Sequence, residues 1–143
     1  MTDAKSNYLE NALIDLIFNG TSILSLAQNS DTPATDLVVA LHTGDPGEGG
    51  AQNVSECAYT SYTRIKVERT STGFTVSGGT ATATTNIVFP QATGGTETVT
   101  HASISLSTAS TADVLYYGTV SPNISVSNGV TPRLTTAFTV SET

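Results

Sequence analysis

Residues 86–118 read NIVFPQATGG (86–95), VTHASISLS (99–107) and VLYYG (114–118), short apolar runs set between Gly- and Thr-rich turns. In the middle run Ala102, Ile104 and Leu106 share one parity, while Ser103 and Ser105 take the other. Such a period of two is the mark of a strand with one apolar and one solvated face. Few side chains in the stretch ionise, so it reads as folded β surface and not as a reaction centre.

The same grammar extends in both directions. Leu37–His42 (LVVALH) is an apolar run of strand length, expected to be buried. Tyr59–Arg69 alternates, with Ile65 and Val67 on one face and Arg64, Lys66 and Glu68 on the other. Phe74 and Val76 open a further strand that ends at Gly78-Gly79, and Ala81–Phe89 reads as another. Asn128-Gly129 between Val126 and Val130 carries a two-residue hairpin signal. Leu134, Thr136, Phe138 and Val140 alternate to the end of the chain. About seven to nine strands with frequent turns predict a mainly β protein, an antiparallel β-sandwich or jelly-roll-like domain. With no repeat and no long linker, residues 1–143 are expected to form one domain, the sandwich spanning 36–143.

One helix is expected within 6–20. Leu9, Leu13, Leu16 and Ile17 recur at i, i+4, i+7 and i+8, and Tyr8, Ile14 and Phe18 widen the band. Asn7 and Glu10 form a capping-box variant at its start. Asn19-Gly20 supplies the stop, because glycine takes the left-handed cap conformation without a Cβ clash. The apolar character continues over 21–27, and a polar loop with Pro33 follows over 29–35.

Composition narrows the function. Twelve acidic against five basic side chains give a formal charge of −7. That lacks the basic footprint that displaces phosphate counterions, which argues against nucleic-acid partners. The single Cys57 leaves no internal disulfide framework. No apolar run in the N-terminal region approaches the ~20 residues that span a bilayer. No basic segment precedes a signal-like core, so synthesis in a cytoplasm and no membrane partner are expected.

Candidate chemistry is sparse. The Gly44–Gly50 loop (GDPGEGG) offers Asp45 and Glu48 as oxygen donors. It lacks the alternating donors and terminal Glu of an EF-hand and the GK[ST] of a phosphate loop, so it reads as a turn. His42 and His101 stand apart in sequence with too few partners for zinc, and no GxSxG elbow accompanies the serines. Catalytic residues, metal ligands and cofactors are all expected to be absent. Arg64, Lys66 and Arg69 gather three of the five cations and form a candidate docking strip for an acidic partner, with Glu68 as the internal alternative. The apolar helix face of Leu9, Leu13, Leu16 and Ile17 is the second candidate docking surface. Tyr59, Tyr62, Tyr116 and Tyr117 would suit a carbohydrate-binding sandwich, a reading that the absence of Trp weakens.

SNYLENAL (6–13), VALHTGDPGE (39–48), IVFPQATGG (87–95), VTHASI (99–104) and LYYGTV (115–120) occur in this order along the chain. Together they resemble a family of small tailed-bacteriophage virion structural proteins, commonly labelled tail fibre proteins and sometimes viewed as capsid-associated. The resemblance covers nearly the whole chain and departs from the family pattern at SECAYTSY (55–62). It implies a non-enzymatic virion component whose partners are the major capsid protein or tail proteins, self-associating, with a trimer as one form. The lack of a shaft, heptads or repeats turns the expectation toward a capsid decoration or cement protein. A tail fibre, collar or tail-tip subunit is the alternative.

Overall fold

The computed structural model of the chain describes residues 7–22 and 34–141, with side chains from Glu10 onward. It is mainly β with antiparallel sheets and one helix near the N-terminus, the class that the alternating runs predict. The capping pair at Asn7, most of the 21–27 run and most of the 29–35 loop lie outside what is described. No described helix is long and apolar enough to cross a membrane. Contacts group the residues into two compact units, one of 1–36, 68–86 and 134–143 and one of 37–67 and 87–133.

In the first unit, α1 (Asn7–Asn19) packs on β3 (Phe74–Ser77) and β4 (Thr80–Ala83). Gly78 and Gly79, at φ 57° and 73°, make the two-residue turn between these strands. Two successive left-handed residues match the strand twist, and glycine adopts them without strain. The pairing places Phe74 opposite Ala83 and Val76 opposite Ala81, one shared apolar face. β9 (Thr139–Ser141) adds to the far side of β4. Among the described side chains of α1, Ile14 and Phe18, one turn apart, are fully buried. Phe18 meets Phe74 edge-to-face, with centroids 4.8 Å apart. Leu13, Leu16 and Ile17 are only half-buried, so the buried stripe lies to one side of the expected one.

The C-terminus of α1 is closed twice. Gly20 turns the chain at φ 68°, and Thr21 N donates to the Asp15 carbonyl at 3.3 Å. The Arg69 guanidinium donates to the carbonyls of Leu16 and Ile17, and to that of Ala34 at 3.2 Å. A cation on the last unpaired carbonyls answers both their hydrogen-bonding need and the negative end of the helix dipole.

The second unit is built on a four-stranded sheet ordered β2 (Ile65–Glu68), β1 (Asp36–His42), β6 (Glu97–Ser105), β7 (Tyr116–Val126). β1 is buried on both faces over Leu37–His42, as its uninterrupted apolar run requires. β6 lies antiparallel beside it, Val38 opposite Ser105 and His42 opposite His101. Contrary to the alternation in the sequence, Ser103 and Ser105 are buried, and Leu106 beyond the strand is 49% exposed. β7 is longer than the expected 114–120 run and bulges against β6 between Ile124 and Thr119. The bulge and Pro122 interrupt a sheet edge that would otherwise offer a continuous ladder to other chains.

Two further expectations are corrected. Asn128-Gly129 makes a turn but no hairpin. Gly129 N donates to Ala92 O at 2.7 Å, and β8 (Arg133–Leu134) pairs with β5 (Ile87–Val88). The Ala81–Phe89 and Leu134–Val140 runs each break in two, the latter at a turn over 135–137, where Phe138 N donates to Thr135 O at 2.9 Å. Phe18→Ala should destabilise the protein by about 3–5 kcal/mol, through lost burial and a cavity against Phe74. Urea unfolding checks this, and a loss below about 1 kcal/mol would mean that the ring is not a core element.

Candidate functional site

Polar chemistry in the second unit collects where residues 51–64 cover the β1–β6 sheet. The inner layer is sealed. His42, Gln52, Ser103 and Ser105 are each at most 1% exposed. His42 Nδ1 lies 2.9 Å from the Val54 carbonyl, which only accepts, so Nδ1 carries the proton. Nε2 must then accept from Ser103 Oγ at 2.7 Å. Gln52 Nε2 donates to Ser103 Oγ at 3.2 Å and to Val38 O at 2.9 Å, while Ser105 Oγ donates to Gln52 Oε1 at 2.8 Å. Every member has a partner, and the order of donors runs one way only for a neutral imidazole.

Burial accordingly pushes the His42 pKa below 6.5, against the pull of the Val54 carbonyl and Glu56 and with a small push from Arg64 and His101. Ser103 and His42 stand at the spacing of a nucleophile and its base. Here a backbone carbonyl occupies the orienting position and both side chains are buried, so the pair is part of the packed interior. The other histidine, His101, is half-buried with Thr100 Oγ1 2.9 Å from its Nδ1.

The outer layer is an open groove of about 560 Å³ over residues 56–64, banked on its far side by Thr108 and Ser110. Its base is an ion pair. Arg64 Nε and Nη2 donate to Glu56 Oε1 and Oε2 at 2.7 and 2.8 Å. The same guanidinium donates to the Ala109 and Ser110 carbonyls at 2.7 and 3.2 Å, tying the two banks together. The hydrogen bonds to Glu56 raise the Arg64 pKa further. Tyr62 Oη donates to Glu56 Oε1 at 3.0 Å and accepts from Leu41 N at 3.0 Å, and burial raises its pKa.

From β6, the Glu97 carboxylate accepts the N–H groups of Ala58 and Tyr59 at 2.9 and 3.2 Å. Burial and then Glu97 push the Cys57 thiol up to about 12, so it is neutral and unreactive at physiological pH. Among the described residues, Ser55 and Ser61, at φ 51° and 83°, are the non-glycine residues held in the left-handed region. Such conformations cost of order 1–3 kcal/mol and persist where surrounding contacts enforce them.

The sequence candidates divide on this geometry. Arg64 pairs with Glu56 and not with Glu68, Arg69 caps α1, and Lys66 alone of the three is exposed. Leu13, Leu16 and Ile17 keep partial exposure on α1, and the Leu9 side chain lies outside the described residues. Of the four tyrosines, Tyr59 is 3% exposed with its hydroxyl on Pro90 O, Tyr62 and Tyr116 are half-buried, and Tyr117 is 38% exposed. They do not form one exposed aromatic platform. The Gly44–Gly50 loop is a turn, with Gly47 N on Asp45 Oδ1 at 2.8 Å and Gly50 N on Gly47 O at 3.1 Å. A Cβ at Gly50 would lie 1.8 Å from Pro46 O, which requires glycine there. Among the described residues no three His, Cys, Asp or Glu side chains gather as metal ligands. Gln52, Glu56, Glu97 and Ser103 were not legible as a cluster, because their partners lie up to 61 residues away.

A comparison with protein families accounts for nearly the whole chain. Residues 4–140 match the family model described as podophage GP4 fiber I protein gp80. The chain belongs to this family. It is a bacteriophage virion protein of tail-fibre type, as the ordered motifs between residues 6 and 120 imply. A structural fibre family implies a non-enzymatic role and contact with other virion proteins. No curated protein matches the chain.

Two measurements test the site. Above pH 6.5 His42 is neutral in both folded and unfolded chains, and its contribution to stability is complete. As pH falls through 6.5 the unfolded chain takes the proton first, so stability declines until the lower, folded pKa is reached. Melting curves from pH 7.5 downward should show this decline in the wild type and a shallower one in His42→Gln; parallel curves would contradict it. Arg64→Met should cost about 1.5–3 kcal/mol, because it leaves the Glu56 carboxylate half-buried without its cation. Glu56→Gln in the same background should restore part of that loss in a double-mutant cycle, and strict additivity would show no coupling.

Proposed function

We propose that the chain is a structural subunit of a podophage tail fibre, holding its place by shape and contact and not by chemistry. The family match over residues 4–140 carries this reading. It favours the fibre over the capsid decoration or cement role that the lack of a shaft, heptads or repeats suggested. The internal ties fit a role of shape and contact. Arg64, Arg69 and Glu97 spend their charge inside the protein, which stiffens the covering segment and the end of α1.

Contact with tail neighbours then falls to side chains that keep surface to offer. These are the half-buried Leu13, Leu16 and Ile17 of α1, with Leu9 on the same sequence face, and the exposed Lys66. Self-association of the chain belongs to this proposal, with three-fold symmetry as the first arrangement to test by light scattering. A specific interface needs roughly 1,000 Å² of buried surface, and several copies on one particle add avidity to a modest one.

Immunogold labelling of intact virions with antibodies against the full chain decides the placement. Gold confined to the tail is the expected result. Gold on the capsid shell alone would return the protein to a decoration role.

A further inference from the structure

The start of β7 keeps two large apolar side chains in solvent. Tyr117 stands opposite Ser103 on β6, and Leu115 extends the ladder, its N donating to Ile104 O at 2.8 Å. Residues two apart on a strand share a face, so Leu115 and Tyr117 lie side by side on the face of Ser103. Residues 51–56 cover that face over β1 and β6, yet Leu115 is 41% and Tyr117 38% exposed. β7 is the last strand of its sheet, so the pair sits at a margin of the fold.

Carboxylates frame the pair. β1 ends at His42, level with His101 and through it with Thr119, and the chain returns at Ala51, which bridges to Asp113. Residues 43–50 therefore run along this face between the levels of Thr119 and Asp113, carrying Asp45 and Glu48 past Tyr117. Desolvation, and then the charges of Asp45 and Glu48, raise the Tyr117 hydroxyl above its ordinary value. Asp45, Glu48 and Asp113 are exposed, and none makes an ion pair among the described residues. Glu56 and Glu97, by contrast, are answered inside the protein.

We propose that Leu115 and Tyr117, framed by Asp45, Glu48 and Asp113, dock a segment of another virion protein in which Lys or Arg residues flank apolar side chains. A tyrosine ring brings a large apolar area and a polar tip, which suits it as the anchor of an interface. Cations of the partner meet acids that nothing in the chain neutralises, and such complementarity speeds encounter and fixes register. A second copy matches poorly. Its Arg64 and Arg69 are committed, its Lys66 shares a strand with Glu68, and it brings another charge of −7. An anionic partner would be repelled, and a wholly apolar one would strip water from unpaired charges. The assignment rests on reading the chain as a contact subunit of the virion, and it names one contact face and the chemistry of what meets it.

Virions assembled with the full chain carrying Tyr117→p-benzoylphenylalanine are photoactivated, and the cross-linked peptides are sequenced by mass spectrometry. The expected product joins the chain to a different virion protein, at a segment with two or more Lys or Arg residues around apolar ones. That protein, purified, is then titrated against wild type, Asp45→Asn/Glu48→Gln and Tyr117→Ser. Asp45→Asn keeps an acceptor for Gly47 N, so the turn and the melting temperature should persist. Association should slow about three- to tenfold in the neutralised protein and lose much of its salt dependence. Affinity should fall about thirtyfold or more in Tyr117→Ser. Cross-links to a second copy alone, to a segment without cations or to nothing, or unchanged binding in both variants, would overturn the assignment. Gold on the tail without a cross-link would defeat this assignment and spare the fibre placement. A cationic cross-link with gold on the capsid shell alone would do the reverse.

Discussion

A buried polar chain, Val54–His42–Ser103–Gln52–Ser105, is the constraint on which the second unit depends. β1 over residues 37–42 and β6 over residues 102–105 are buried on both faces, yet one shared face carries Ser103, Ser105 and the buried His42. Burying such groups without partners would cost more than the neighbouring apolar contacts return. Gln52 resolves the conflict by reaching back over the sheet, placing its amide between Ser103, Ser105 and the Val38 carbonyl. Covering the face therefore requires the 51–56 segment to take one path, and that path delivers Glu56 to Arg64. The network is specific because every buried donor and acceptor in it finds a partner.

The groove follows from this path. Once Glu56 is placed, Arg64 can reach it and the Ala109 and Ser110 carbonyls together, which fixes a loop some 45 residues away. Glu97 performs a similar task from the start of β6, filling with its own carboxylate the paired amides that an external anion could otherwise use. A protein with few cations commits two of them, Arg64 and Arg69, to backbone carbonyls and one carboxylate. Its outer surface is left acidic, rich in hydroxyls and poor in free positive charge. A fibre-type virion protein that meets other proteins has little need of that charge.

In the first unit the decisive contact is aromatic. Phe18 and Phe74 set how α1 lies on the β3–β4 hairpin, and the helix turns Ile14 and Phe18 inward. Leu13, Leu16 and Ile17 look stronger on a helical wheel. Phenylalanine prevails because a ring buries more area and gains from edge-to-face geometry with its partner. The outcome leaves an apolar strip on the helix that its own sheet does not fully cover.

The amino-acid order by itself determined the local structure. The helix from Asn7 to Asn19, the Gly20 stop, the buried run at 37–42, the turn at Gly78-Gly79 and the alternation at 65–68 rest on periodicity and backbone preference within a few residues. The motifs in order determined the family as well. The tertiary structure alone decided that Ser103 and Ser105 lie inside, that Arg64 serves Glu56 and Arg69 serves α1, and that 55–64 forms a groove. Those outcomes turn on hydrogen bonds between residues dozens of positions apart. A period of two shows which side chains share a face of a strand, but it carries no information on what will later cover that face.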